Sequence, residues 1–272
     1  MIEKYKHRVE LEKYPKDSMQ LFIPTDSEEL WYENLKKHPQ NHSLEYYKRH
    51  PIEYKLNNAG FRTPDDFNSE EWGNVYLGCS HTFGIGHHLE HIWSYRLNQL
   101  IGGKFWNLGI GGTGVTTHFR ILLGHYKDLK IKNIFHYAPI YPRYEFILNG
   151  TPQHYIVADY KKEWEKDFGD LMVNSLLNED QVQFNYEAYT SAIRGLAAKI
   201  GCNYYLVTGD TGGHARDDDS LQARDLMHHT TLYQHNILKE FIKKYDNTLL
   251  NEVEEDLEVF NIKNSLKRGS LL

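Results

Sequence analysis

Short apolar runs alternate with helically spaced segments between residues 73 and 245, and this alternation predicts an α/β fold. Three observations carry that reading. Four runs have strand character, Val75 to Cys79, Lys104 to Leu108, Lys132 to Ala138 and Asn203 to Thr208. The segments between and after them repeat their apolar residues every three or four positions, the period of a helix with one buried face. Glycines punctuate the junctions, at Gly102-Gly103, Gly109 to Gly112 and Gly201. Strands and helices in this order imply a mostly parallel sheet of four to five strands, covered on both faces and joined by right-handed crossovers.

In chain order, residues 1–72 are polar, aromatic and weakly periodic. They hold five of the eight prolines, Pro15, Pro24, Pro39, Pro51 and Pro64. Proline lacks a backbone N–H and clashes with the preceding helical turn, so this part reads as an extension of short helices and loops packing on the core. The main domain is expected over 73–245. After the Val75 strand, His88 to Ile101 carries Leu89, Ile92, Tyr95, Leu97 and Leu100 at helical spacing and stops at Gly102-Gly103. The Lys104 strand runs into Gly109-Ile110-Gly111-Gly112 and then a helix to about Asp128, with Val115, Phe119, Leu122 and Leu123 inward. Past the Lys132 strand, Pro139 and Pro142 open a long excursion. Asn178 to Ile200 reads as a long amphipathic helix ended by Gly201. Gly209 to Arg224 is rich in glycine and aspartate and reads as loop. Thr231 to Tyr245 gathers Leu232, Ile237, Leu238, Phe241 and Ile242 on one helical face, and 246–272 reads as a C-terminal tail, acidic first and basic at its end.

At 272 residues, 40% hydrophobic and 25% charged, the chain can bury one sizeable core. Its net charge of −6 offers no electrostatic footprint for nucleic acid or an anionic membrane surface, so the expected partner is a small molecule. The first residues lack an apolar leader and no run approaches a membrane span, which gives the expectation of a cytoplasmic protein. Cys79 and Cys202 suit reduced thiols better than a disulfide framework, with a single bridge left open. His87, His88 and His91, and Asp217 to Asp219 near His214, lack the spacing of zinc or calcium sites. Neither a metal nor a cofactor is expected.

The chemistry starts from Gly78-Cys79-Ser80-His81-Thr82-Phe83-Gly84, which sets a serine at the end of the first strand. A serine hydroxyl needs a base to take its proton and fixed donors for the oxyanion. Arg224-Asp225-Leu226-Met227-His228 supplies a candidate base: an aspartate three residues before a histidine can hold one ring nitrogen and leave the other for the serine. The plain alternative is a capping aspartate beside a surface histidine, and His229 competes weakly as base. The glycines after the second strand let backbone N–H groups approach a substrate, although the same glycines would serve a tight turn. They do not match a phosphate-binding pattern. Ligands of open parallel sheets bind outside the carboxyl ends of the strands, the rim that these blocks share.

Together the three blocks resemble the SGNH, or GDSL-type, hydrolase superfamily over about residues 74 to 245. The resemblance implies a three-layer α/β/α sandwich of flavodoxin-like kind, with Ser80 as nucleophile and Asp225 and His228 as the rest of a triad. It implies oxyanion donors at the Ser80 backbone N–H and at Gly112. The family's third block, Gly-x-Asn-Asp after the third strand, is absent; the chain reads Phe135-His136-Tyr137-Ala138-Pro139-Ile140. Loss of one donor costs about 3 to 4 kcal/mol of transition-state stabilisation, so His136 or Tyr137 is the candidate substitute. Arg143 is a further candidate, for an anionic substrate group, against the alternative of a surface ion pair. Asn57-Asn58-Ala59-Gly60-Phe61-Arg62 also resembles an element that precedes the catalytic domain in some SGNH-like proteins, and a structural role is expected for it. The implied activity is that of a serine esterase removing short acyl groups, such as acetyl, from a carbohydrate or another small ester. A non-catalytic binding or structural module, for which the missing asparagine argues, and acyl transfer to a sugar hydroxyl stay open as alternatives.

Overall fold

The computed structural model describes residues 5–139, 143–156, 179–209, 220–250 and 253. Its centre is a four-stranded parallel sheet built from β3 (Trp72–Leu77), β4 (Lys104–Asn107), β5 (Lys130–Pro139) and β8 (Asn203–Gly209), in the spatial order β4-β3-β5-β8. The N-terminal part contributes β1 (Ser18–Gln20), α1 (Glu28–Lys37), α2 (His42–Arg49) and β2 (Tyr54–Leu56), with β1 and β2 paired antiparallel. The remaining elements are α3 (Ser80–Phe83), α4 (Trp93–Ile101), α5 (Val115–His125), a hairpin of β6 (Arg143–Leu148) and β7 (Thr151–Ile156), α6 (Glu179–Ile200) and α7 (Thr231–Tyr245).

Two apolar layers sandwich the sheet, giving the expected α/β/α arrangement. Side chains alternate across a strand, so neighbouring residues feed opposite layers. Val75, Leu77 and Ile134 join Ile121 and Leu122 of α5 and Ile193 and Leu196 of α6 in one core. Tyr76, Phe105, Phe135 and Tyr137 join Trp93 and Leu97 of α4 and Ile237, Leu238, Phe241 and Ile242 of α7 in the other. There the Trp93 and Phe241 rings stack at 4.4 Å and 11°. The two central strands, β3 and β5, are buried over nearly their whole length, as crossover helices on both faces require, while the edge strand β8 is only partly buried.

The N-terminal part is integral to this core. Leu11, Ile23, Tyr47, Ile52, Tyr54 and Phe61 belong to the same apolar cluster as α5 and α6. Ser27 and Asn41 cap α1 and α2, each accepting from the backbone N–H three residues on. Two expectations change. The helix expected from His88 divides into a 3₁₀ turn, Leu89–His91, and α4, because Ile92 is extended (φ −82°, ψ 143°) and the Gln234 side chain takes the first helical N–H, that of Trp93, at 3.1 Å. The core does not close at Tyr245, since Leu249, Leu250 and a buried Val253 pack on the α4–α7 layer. Residues 254–272 of the expected tail, and the aspartates at 217–219, lie outside the described residues. Both cysteines are free thiols. Among the described residues no helix is long and apolar enough to cross a membrane.

Candidate active site

β3 ends at Leu77, and Gly78 turns the chain so that Ser80 opens the single turn of α3. A side chain at Gly78 would meet Thr82 Oγ1 at 2.0 Å and the Tyr137 carbonyl oxygen at 2.9 Å, so only glycine lets the turn sit this close to β5. α3 is held from below by the second glycine block. Asn107 Nδ2 donates to the Thr82 carbonyl at 2.8 Å while its Oδ1 accepts from Gly109 N–H at 2.9 Å. Asn107 is therefore a brace under the serine, with its polar atoms satisfied inside the protein.

The other half of the site is the tight turn Arg224 to His228. Asp225, 1% exposed, accepts from His228 Nδ1 at 2.6 Å through Oδ2, and from the backbone N–H of Met227 (3.0 Å) and His228 (3.1 Å) through Oδ1. Burial alone would raise its pKa; the His228 charge and these hydrogen bonds outweigh burial and hold the carboxyl below its usual value. The Asp225 contact engages Nδ1 and leaves Nε2 as the ring position for proton transfer. Leu226 adopts φ +54°, a left-handed conformation that costs a branched side chain roughly 1 to 2 kcal/mol and that the hydrogen bonds to Asp225 hold in place.

A cleft of about 180 Å³ joins the two halves at the carboxyl ends of β3, β5 and β8. Ser80, His81, Tyr137, Arg143, His228, His229 and Tyr233 line it, with Cys79, Pro139, Gly209 and Met227. Its position at the switch in strand order, between β3 and β5, is where doubly wound sheets open a crevice. Ser80 and the Asp225–His228 pair thus share one cleft, and no hydrogen bond joins Ser80 to His228 in this structure. The Tyr137 and Tyr233 hydroxyls bond each other at 2.7 Å, and the Tyr233 ring stacks on His229 at 3.9 Å. Gly209 makes room for this pair, because a side chain there would meet the Tyr137 ring at 2.9 Å. His81, packed among the rings of His228, His229, Tyr137 and Tyr233, is held well below the usual histidine pKa, first by burial and then by His228, His229 and Arg143.

Two of the expected oxyanion donors lie elsewhere. His136 is adjacent to Tyr137 on β5, so the alternation of the strand turns it to the opposite face. There it is fully buried between His118 Nδ1 (2.9 Å) and the Tyr204 hydroxyl (2.9 Å), and burial lowers its pKa to about 3. Gly112 shapes the turn before α5 with φ +73° but does not line the cleft. Tyr137 does. Arg143, weighed against a surface ion pair, also lines the cleft, and its Nη1 donates to the Thr113 carbonyl at 3.2 Å. Of the histidines at 87, 88 and 91, His87 Nε2 meets the His229 carbonyl at 2.7 Å, and the His88 ring lies against Tyr46, Tyr47 and His91. Among the described residues no group of three side chains is arranged to hold a metal.

The N-terminal part grips both halves. Arg62, 1% exposed, donates to the carbonyls of Phe83 (3.1 Å), Gly84 (2.6 Å) and His87 (2.7 Å), closing the C-terminal end of α3 beneath the serine. Its guanidinium lies 4.5 Å from the Tyr54 ring centre, and burial lowers its pKa to about 10, which leaves it cationic at neutral pH. Asn57, Gly60 and Phe61 of the same stretch form the turn that delivers it. Asp26 forks onto Arg224, at 3.0 Å to Nε and 2.7 Å to Nη2, and Asn34 Nδ2 donates to the Asp225 carbonyl at 3.0 Å. Sequence reasoning missed these contacts, since Asp26 and Asn34 lie about two hundred positions from the residues they hold. No protein-family model and no curated protein matches the chain.

Proposed function

We propose that the chain is a serine ester hydrolase of SGNH type acting on a short acyl ester. The observation that carries the reading is the opening of Ser80 and of the Asp225-held His228 onto one cleft at the carboxyl ends of the strands. The reading requires a hydrogen bond from Ser80 Oγ to His228 Nε2, and such contacts commonly tighten only when substrate binds.

In the reaction, Ser80 Oγ attacks the acyl carbon and its proton passes to His228 Nε2. The buried Asp225 carboxylate stabilises the imidazolium that forms. The tetrahedral oxyanion collapses, the ester C–O bond breaks, and His228 returns the proton to the leaving alcohol. Water, deprotonated by His228, then attacks the acyl-serine and releases the acid and free Ser80. The Ser80 backbone N–H, at the start of α3, and the Tyr137 hydroxyl are the donors that the reading assigns to the oxyanion. Tyr137 takes the part that asparagine has in the SGNH pattern.

The test is turnover of a panel of short acyl esters by wild type, Ser80→Ala and His228→Ala, with a fluorophosphonate label as an independent probe. The expected result is labelling of Ser80 and a loss of at least about a thousandfold in kcat for either variant. Full activity of Ser80→Ala, or an unlabelled Ser80 in an active protein, overturns the assignment of Ser80 as nucleophile, and a wild type that neither turns over any ester of the panel nor takes the label overturns the reading in favour of a non-catalytic module.

A further inference from the structure

His81 follows the nucleophile in the chain and lines the cleft, yet no step of the acyl transfer calls on it. Its backbone is fixed. Gln234, 1% exposed, donates from Nε2 to the His81 carbonyl at 3.2 Å and accepts from the Trp93 backbone N–H at 3.1 Å, which ties α3 to α4 and α7. The ring is fixed as well, packed among those of His229 (4.9 Å between centres), Tyr233 (5.2 Å), His228 (5.9 Å) and Tyr137 (6.1 Å). A side chain enclosed in this way needs little further ordering when substrate binds.

The two ring nitrogens of His81 differ. Nδ1 is buried and meets no hydrogen-bond partner among the described residues, which leaves Nε2 as the nitrogen for the cleft that the residue lines. Burial, and after it the neighbouring His228, His229 and Arg143, hold the ring well below the usual histidine pKa, so it is neutral at neutral pH. A neutral imidazole carries one N–H and one bare nitrogen. An N–H orphaned in the interior is the rarer arrangement, so we assign the bare nitrogen to Nδ1 and the proton to Nε2. His81 then offers the cleft an uncharged donor that accepts no proton. Such a group cannot serve as a base, but it suits a developing negative charge.

The oxyanion has room for this donor. The SGNH pattern supplies three, and with Gly112 away from the cleft the Ser80 N–H and the Tyr137 hydroxyl stand one short. We propose that His81 Nε2–H is the third oxyanion donor, a part that rests on the esterase reading. As Ser80 Oγ bonds to the acyl carbon, the π pair of the carbonyl moves onto its oxygen, and His81 donates to that oxygen while keeping its proton. When the bond to the leaving alcohol breaks, the pair returns and the carbonyl reforms. Because His81 stays neutral, it does not oppose the imidazolium that forms on His228; a cation at this distance would.

The experiment compares wild type, His81→Phe, His81→Gln and His81→Asn of the full chain on phenyl acetate, with Ser80→Ala as the control. Phenylalanine fills the space among the rings without a donor, glutamine brings an amide N–H near the position of Nε2, and the asparagine amide reaches only the position of Nδ1. His81→Phe and His81→Asn are expected to lose about a hundredfold or more in kcat with little change in KM, and His81→Gln to recover about tenfold of that loss. Inhibition by an alkylboronic acid, whose tetrahedral serine adduct presents an oxygen where the oxyanion forms, is expected to weaken in step with kcat/KM across the series, a parallel that a structural loss would not give. Melting temperatures identify a variant that fails to fold, and the comparison of glutamine with asparagine then decides without phenylalanine. Full kcat in a folded His81→Phe, or His81→Asn as active as His81→Gln, overturns the assignment and leaves the esterase reading standing so long as Ser80→Ala is inactive. A wild type that turns over no ester and takes no fluorophosphonate label overturns the esterase reading and this assignment with it.

Discussion

Replacing Asp26 by asparagine isolates the grip of the N-terminal part on the Arg224–His228 turn. Asp26 is 1% and Arg224 3% exposed, and the carboxylate meets the guanidinium at two points while also accepting from the Tyr54 hydroxyl. Asparagine keeps the shape but turns one acceptor oxygen into an NH₂ donor facing the N–H groups of Arg224, and leaves a buried cation without its counter-charge. Breaking a buried pair from one side costs about 3 to 5 kcal/mol, a large part of a typical folding stability of roughly 5 to 15 kcal/mol. For a chain of this size that corresponds to a fall in melting temperature of about 10 °C. Urea denaturation followed by circular dichroism measures the loss directly. The double variant Asp26→Leu, Arg224→Met, which removes both charges, is expected to recover most of it, because the cost lies in the uncompensated charge more than in the missing attraction. A loss below about 1 kcal/mol for Asp26→Asn, or a double variant no better than the worse single one, would refute the argument that this pair clamps the turn.

Stability is expected to fall in mild acid. Burial holds His87 at about 4, His125 at about 4 and His136 at about 3, against roughly 6.5 in an unfolded chain. Below pH 6.5 the unfolded state therefore binds protons that the folded state refuses, and each group subtracts about 1.4 kcal/mol by pH 5.5. The three together subtract about 4 kcal/mol relative to pH 7.5, and equal urea midpoints at the two pH values would count against their buried, neutral state. Gly109→Ala is expected to cost about 1 to 3 kcal/mol and to displace α3, since its Cβ would lie 2.6 Å from the Phe83 backbone nitrogen. Gly195→Ala, exposed inside α6 with no atom within 4 Å of the added methyl, is expected to stabilise by about 0.5 to 1 kcal/mol. Opposite signs in one thermal-melt series check both, and a neutral Gly109→Ala would show that α3 is not held where the structure has it.

Much of the scaffold was legible because periodicity is a local property. The alternation of short apolar runs with helical faces located β3, β4, β5 and β8 to within a few residues, and Ser80 could be placed on the rim because it follows a strand. The pairing of Asp225 with His228 was readable for the same reason, since three residues of spacing bring the two side chains within reach inside one turn. The division of the helix at Ile92 was not legible, because the Gln234 side chain that caps α4 lies 141 residues away. Nor could a run of letters settle that His136 and Tyr137 do not share the cleft until the facing of β5 was fixed by its neighbours on each side.

Local patterning along the chain sets the α/β order and the strand ends, and it makes Ser80 and the Asp225–His228 pair visible as candidates. Tertiary structure decided which of those groups meet. It brought Arg143 into the cleft, removed His136 from it, and turned the proline-rich first 72 residues into the part that holds both Ser80's helix and His228's turn through Arg62, Asp26 and Asn34. The physical reason is range. Backbone period and turn chemistry act over a few residues and can be read along the chain, whereas burial and buried charge pairing act between segments that only the folded core brings together.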